Sequence, residues 1–412
     1  MIKKLTAGLV LPMLLALAAC SGSYEEPGQF NTAPPPQTGI ATPVPVEQTE
    51  VSENMGDWQP EEIPESPASD FTYIYDAVID GVEITGYIGN SAVIRIPAEI
   101  DGDTVKIIAN SAFSKDNHLV SGTGHAFIEQ VIIPHGVTTI EKNAFRRATN
   151  LSSITIPDGV TSIGDDAFQG AGLANAIIPD SVTELGIGAF ADCPNLRNAV
   201  IGNGITIIKE ETFRNTRSMT SVTIGSSVTE IHGYVSGRVL GGAFINSGLT
   251  SVTIPNGVTF IGGNTFSGSA NLTSVSIPNS VTEIGGGAFS DTGLTNVSIP
   301  GSVERIYDKA FMNCTKLASV KIEKGVIGIL DEAFQGCTVL SNITLPDSLV
   351  SIGSRAFMNC VSLRSLEIPV SVNYIANNPF LNCRALTATH RGVAYNHNTF
   401  DELNRVINNQ YS

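Results

Sequence analysis

The sequence predicts a β-rich solenoid of about twelve stacked coils, each 22–23 residues long. Two observations carry this. Phenylalanine recurs at that interval: Phe145, Phe168, Phe190 and Phe213 form one run, and Phe244, Phe266, Phe289, Phe311, Phe334, Phe357 and Phe380 form another. Phe113 opens the series, and only the steps Phe113 to Phe145 and Phe213 to Phe244 are longer. A fixed period in this range implies stacked coils, because one coil cannot bury its apolar face alone and needs neighbours. The second observation is compositional: charged residues are only 15% and Gly numbers 40, which suits tight turns between short buried strands.

In chain order, residues 1–19 read as a signal peptide. Lys3 and Lys4 form a basic start, Leu5 to Ala19 is apolar, and Leu17-Ala18-Ala19 precedes Cys20. This junction resembles the lipobox of bacterial lipoproteins, which implies cleavage before Cys20, its lipidation, and attachment to a membrane through the lipid alone. Ser21 follows the Cys, and without an Asp there the expected location is the outer membrane, lipid-anchored, at the cell surface.

Residues 20–70 are expected to form a disordered tether. Positions 21–70 hold nine prolines and ten acids with no Lys or Arg, too little apolar surface to offset the entropy of ordering. Much of the formal net charge of −16 therefore belongs to this segment. No basic stripe follows that could track a phosphate backbone, so nucleic acid is not an expected partner.

Residues 71–113 read as an N-terminal capping coil. Val93, Ile94 and Ile96-Pro97 supply its strand, and Asp101-Gly102-Asp103 lengthens the turn after it.

Residues 114–388 are the solenoid proper. In Leu272 to Phe289, Val275 and Ile277 alternate with Ser274 and Ser276, the period of a half-buried strand. Pro278 lacks a donor and ends it. Val281 and Ile284 return to the interior, Gly285 is expected to permit a sharp bend or a positive φ, and Ala288-Phe289 closes the coil. Stacking would place Phe on Phe along the axis. The scheme L-x-x-I-x-I-P-x-x-V-x-x-I-G-x-x-A-F-x-x-C resembles the BspA-like leucine-rich repeat of bacterial surface antigens, over roughly residues 71–386. That resemblance implies a leucine-rich-repeat solenoid at the cell surface that adheres to host matrix proteins or to other bacteria, without catalysis.

Residues 389–412 leave the repeat. Phe400, Leu403, Val406 and Ile407 fall at helical spacing after Asn398-Thr399, so a short amphipathic capping helix is expected.

Cys193, Cys314, Cys337, Cys360 and Cys383 each follow a repeat Phe by three residues, where other coils carry Thr216, Ser247, Ser269 or Thr292. Equivalent Cβ atoms in stacked coils lie ~4.8 Å apart, outside the ~3.5–4.5 Å that a disulfide needs, so a buried ladder of free thiols is expected. His118, His125 and Asp116 share the first insertion and are read as a solvated loop, with no metal site. No zinc-protease His pair, nucleophile elbow or phosphate-cradling Gly loop occurs, and neither enzymatic activity nor a cofactor is expected.

Binding residues are sought on the outward positions of the first strand. Thr155, Thr223, Thr253, Ser276, Ser298 and Thr344 form a hydroxyl strip, interrupted by Lys321 and Glu367 with Arg364 nearby. This strip is read either as ordinary exposed strand chemistry, laddered with its neighbours, or as a broad face for a protein or glycan partner such as host extracellular matrix. Tyr234 and Arg238, in the second insertion, are candidate loop contacts. The alternative to a surface adhesin is an envelope scaffold facing the periplasm.

Overall fold

The computed structural model describes residues 63–116, 127–233 and 241–408. Within them each repeat makes three sides of a coil. The first strand, for example Ser274–Ser276, pairs in parallel with its counterpart Ser251–Thr253 one coil earlier, Val on Val. The second strand is two residues long and stacks Ile on Ile, from Ile208 through Ile231, Ile261, Ile284, Ile306, Ile329 and Ile352 to Ile375. The third side is a run of turns around Ala-Phe, also laddered between coils: the Phe266 N–H donates to the Ala288 carbonyl and the Phe289 N–H to the Ala310 carbonyl, both at 2.8 Å. Hydrogen bonding between coils on all three sides leaves few backbone groups unpaired, which is the condition for burying backbone at all.

The phenylalanines form one continuous column. From Phe113 to Phe380 successive centroids lie 4.9–5.7 Å apart with interplanar angles of 3–17°. Phe145 stacks on Phe113 at 4.9 Å and Phe244 on Phe213 at 5.3 Å, so the column continues unbroken across the two long steps. Val, Ile and Leu columns flank it in one core cluster.

The turns around Phe differ from expectation. Gly285 is absent from the positive-φ residues. It is needed for close approach, since a Cβ there would lie 2.5 Å from the Gly263 nitrogen. Left-handed residues instead flank most of the Ala-Phe pairs: Gly287 and Asp291 around Phe289, Lys309 and Asn313 around Phe311. Asn, Asp and Gly recur at these positions because they tolerate that region best. The proline has a second role, in that its carbonyl accepts the N–H three residues on, as Pro278 does from Val281 at 3.1 Å.

At the N-terminal end, β1 (Phe71–Asp76) and β2 (Gly81–Tyr87) form an antiparallel hairpin. β3 (Val93–Arg95) is the first of the first-strand series, and β4 (Glu99–Ile100) turns into β5 (Asp103–Ile108) through Asp101 and Gly102, both at positive φ, as a two-residue hairpin turn requires. Residues 63–70, expected within the tether, are held to this cap. The Ser66 N–H donates to the Arg95 carbonyl at 2.8 Å, the Arg95 guanidinium to the Ile63 carbonyl at 3.0 Å, and Asp70 accepts from Ile88. Composition misled here because without residues 63–66 β3 would be an unpaired edge, and any adjacent backbone can satisfy its polar groups. The rest of residues 20–70 lies outside the described residues.

At the other end Thr387–His390 still pairs in parallel with the preceding coil, then turns back antiparallel into Val393–Tyr395. Helix α1 (Phe400–Asn408) follows, burying Leu403 and Ile407. Phe400 closes the ring column, 5.2 Å from Phe380 and tilted by 51°. Val406, expected on the buried face, is 38% exposed, because positions 400, 403 and 407 already define the contact stripe.

The five cysteines are free and buried. Each thiol donates to the carbonyl of the Phe one coil earlier, Cys193 to Phe168 at 3.1 Å and Cys383 to Phe357 at 2.9 Å. Ser269 makes the same bond to Phe244 at 3.1 Å, so the position takes a small side chain that carries a donor. Burial pushes the Cys193 thiol up to about 12 and the Cys314 and Cys383 thiols to about 11, far from a nucleophilic thiolate.

Candidate functional site

Three columns of hydroxyls and amides run along the coils, and hydrogen bonding separates them. Beside the second strands, threonines donate to the carbonyl of the preceding coil's residue: Thr161 to Thr138, Thr183 to Thr161, Thr259 to Thr229 and Thr282 to Thr259, at 3.2–3.3 Å. Just before the first strands Thr250, Thr273 and Thr295 do the same, at 3.1–3.4 Å. These hydroxyls belong to the scaffold.

The outward strip on the first strands is different. Thr155, Thr223, Thr253, Ser276, Ser298 and Thr344 are exposed, and among the described residues none of their hydroxyls takes part in a hydrogen bond of the kind just described. A strand alternates its side chains between faces, so the inward Val or Ile holds each hydroxyl pointing to solvent. Arg364 and Glu367 are exposed on the same side, and Lys321 is paired with Glu323 at 2.7 Å, an exposed contact of small energetic consequence.

Two residues of the strip were missed by reading only its polar members. Ile177 is 54% exposed and Val200 39%, and they are opposite each other in paired strands. The inward positions of these strands are Ala176 with Ile178 and Ala199 with Ile201, all buried, so the alternation places Ile177 and Val200 outward. The signal was present in Asn175-Ala-Ile-Ile and Asn198-Ala-Val-Ile, once the alternation is read in register with Phe. Alongside runs an amide ladder in which Asn198 Nδ2 donates to Asn175 Oδ1 at 3.0 Å and Ser221 Oγ to Asn198 Oδ1 at 2.7 Å. From Thr155 to Ser298 this column is free of charge, combining hydroxyls with one apolar step.

Tyr234 and Arg238 lie outside the described residues, as do His118, His125 and Cys20. The root of the second insertion is ordered: His232 Nε2 sits 2.7 Å from Glu230 and Nδ1 3.9 Å from Glu210, and the Gly241 N–H donates to Glu211 at 2.8 Å. Asp116, at the root of the first insertion, is paired with Arg147 at 3.0 Å. Among the described residues no group of three His, Cys, Asp or Glu side chains could hold a metal, and no helix is long and apolar enough to cross a membrane.

The BspA type leucine rich repeat region matches in six copies, over residues 106–236, 239–337 and 305–400. The chain belongs to the BspA-type leucine-rich-repeat family. A leucine-rich repeat protein from Bacteroides ovatus ATCC 8483 shares the fold, at 24% identity over 78% of this chain and 93% of that one, with a TM-score of 0.54. A leucine rich cell surface protein from Faecalibacterium prausnitzii A2-165 is 28% identical over 79% of this chain and 88% of that one, with a TM-score of 0.50. No curated protein matches the chain. Solenoids of this BspA-type family offer an extended surface built from repeated positions, and such surfaces bind macromolecules.

Proposed function

We propose that this BspA-type protein is a bacterial cell-surface binding protein, anchored through lipidated Cys20, whose first-strand face engages a protein or glycan such as host extracellular matrix. The observation that carries the reading is the contrast between hydroxyl columns: those beside the second strands and before the first strands are tied into the scaffold, while the strip from Thr155 to Thr344 is exposed and turned outward. Hydroxyls and amides on a flat strand face, with the Ile177–Val200 step among them, suit a large uncharged surface; a single small molecule would need a concave, enclosing site. The likeness to the Faecalibacterium cell surface protein supports the location, and the lipobox-like Leu17-Ala18-Ala19-Cys20 supports the anchor.

The test combines a non-penetrating protease on intact cells with Cys20→Ala. Loss of the solenoid from intact cells, and release of the Cys20→Ala protein from the membrane fraction, are expected. Full protection of the solenoid would favour a periplasm-facing scaffold instead, and continued lipidation of the variant would remove the anchor assignment. For the face, Ile177→Asp with Val200→Asp is expected to abolish retention on immobilised fibronectin or fibrinogen, where the wild type is retained.

A further inference from the structure

The four terminal edges of the two strand series are not treated alike. At the C-terminal end the second-strand edge is closed by α1: Asn408 Nδ2 donates to the Ile375 carbonyl and Asn408 Oδ1 accepts from the Ile375 N–H, each at 2.9 Å, imitating a paired strand. The first-strand edge there is closed by Val393–Tyr395, a strand of three residues. At the N-terminal end the β3 edge is covered by residues 63–66, through the Ser66–Arg95 bonds. The fourth edge is β1. It is the first strand in its sheet, paired with β2 on one side and with no described residue on the other.

β1 carries few of the devices that usually blunt an edge. It contains neither Lys nor Pro, and a bulge between Thr72 and Tyr73 leaves Tyr73 to Asp76 in uninterrupted register. Tyr73, Ile74 and Tyr75 are consecutive and all exposed, at 36%, 53% and 52%, so both faces of the strand present apolar surface. The two tyrosine hydroxyls are held in place by Asp101 and Asp80, each at 2.7 Å.

Charge selects what can occupy this edge. Residues 71–113 contain six acids, Asp76, Asp80, Glu83, Glu99, Asp101 and Asp103, against Arg95 and Lys106, and Lys106 donates its ammonium to the Ile79 carbonyl. Burial, together with the fields of Glu141 and Asp76, raises the pKa of Glu83, the response of a carboxylate lacking a compensating cation. A second copy would bring the same acids to the contact. The chain's own residues 21–62 carry acids and no Lys or Arg, so they offer no charge complementary to this rim.

We propose that the open β1 edge, at Tyr73 to Asp76, accepts an extended, cationic segment of another protein by strand addition, with main-chain bonds to β1 and Lys or Arg side chains reaching the acidic rim. This site is separate from the hydroxyl strip and does not depend on it.

The test uses the full chain and a fluorescein-labelled peptide, KVTIKVTIK, followed by anisotropy. Two controls separate strand addition from charge alone: KGSGKGSGK keeps the lysines without β propensity, and EVTIEVTIE reverses the charge. Saturable binding of the first peptide only is expected, weakening steeply with salt. Ile74→Lys, which supplies the edge charge that native sheets use against strand pairing, should weaken it roughly tenfold or more; Tyr75→Lys should do the same, and Ile177→Asp should not. Ile74 and Tyr75 are exposed, so unchanged far-UV circular dichroism is expected for both. Equal binding of the Gly/Ser peptide, binding to Ile74→Lys as to wild type, or an Ile74-dependent dimer in sedimentation would each overturn the proposal.

Discussion

Three consecutive glycines in one coil face three different physical demands, and alanine at each should separate them. At Gly285 the new Cβ would lie 2.5 Å from the Gly263 nitrogen, 2.8 Å from the Gly262 carbonyl carbon and 2.9 Å from the Gly263 Cα, all backbone of the neighbouring coil. These atoms cannot yield locally, because the Gly285 N–H bonds to the Ile261 carbonyl at 2.8 Å and the Asn264 N–H to the Gly286 carbonyl at 3.0 Å. The coils must separate, and a cost of about 3 kcal/mol, the upper part of the overpacking range, is expected for Gly285→Ala. At Gly287 the φ of +65° costs an L-residue about 1–2 kcal/mol by itself, and the Cβ also meets the Asn264 side-chain oxygen. Gly286 has one neighbour within 4 Å, the Asp308 carbonyl oxygen at 3.2 Å, and no positive φ. Restriction of the unfolded chain favours alanine there by roughly 0.4–1 kcal/mol, which offsets the contact. Urea denaturation of the three variants should therefore rank them Gly286→Ala, Gly287→Ala, Gly285→Ala in increasing destabilisation. A Gly285→Ala protein within about 0.5 kcal/mol of wild type, or Gly286→Ala as the least stable of the three, would refute the close-approach argument.

Phe289 is fully buried between rings at 5.3 and 5.4 Å, so Phe289→Ala should cost about 3–5 kcal/mol in the same assay; a loss below about 1 kcal/mol would contradict a close-packed column. The Thr259 hydroxyl donates to the Thr229 carbonyl, a bond that alanine removes, whereas Thr253 belongs to the outward strip. Thr259→Ala should therefore lose about 1 kcal/mol and Thr253→Ala close to none. For the thiols the folded pKa lies above the ordinary value of 9.0, at about 12 for Cys193 and about 11 for Cys314 and Cys383. The native state then holds protons that the unfolded state releases, so stability is full below about pH 9 and falls as pH rises toward the folded values, by about 1.4 kcal/mol per pH unit for each such thiol. A midpoint of thermal unfolding independent of pH between about 9 and 11 would refute this, and so would reaction of these thiols with DTNB in the native protein.

The phenylalanine period made the solenoid legible because stacking imposes identical environments at equal intervals, and identical environments select identical residues. Phe, Leu, Val, Ile and the cysteine position could all be assigned inward from spacing alone. The reasons for glycine were less accessible: Gly285 and Gly287 look alike in sequence, but one is set by distance to another coil and the other by its own φ. The same limit hid the docking of residues 63–66, because hydrogen bonds made through backbone leave no trace in composition. The outward setting of Ile177 and Val200 is legible only in register, since an apolar residue on a strand reads as inward unless the alternation is tracked.

The candidate face divides along that line. Its polar members were visible as a column of Thr and Ser at one register position, and alternation along the strand placed them outward. Which hydroxyls are tied into the scaffold and which face out depends on how far each reaches toward the carbonyl one coil away, a distance between residues 22 or 23 positions apart. The openness of β1 is likewise a property of what the rest of the chain leaves uncovered. The sequence by itself determined the repeat, its inward residues and the membership in the BspA-type family, because these follow from local periodicity. Only the tertiary structure decided which surfaces of BspA-type coils remain unsatisfied, because satisfaction is settled between segments distant in sequence.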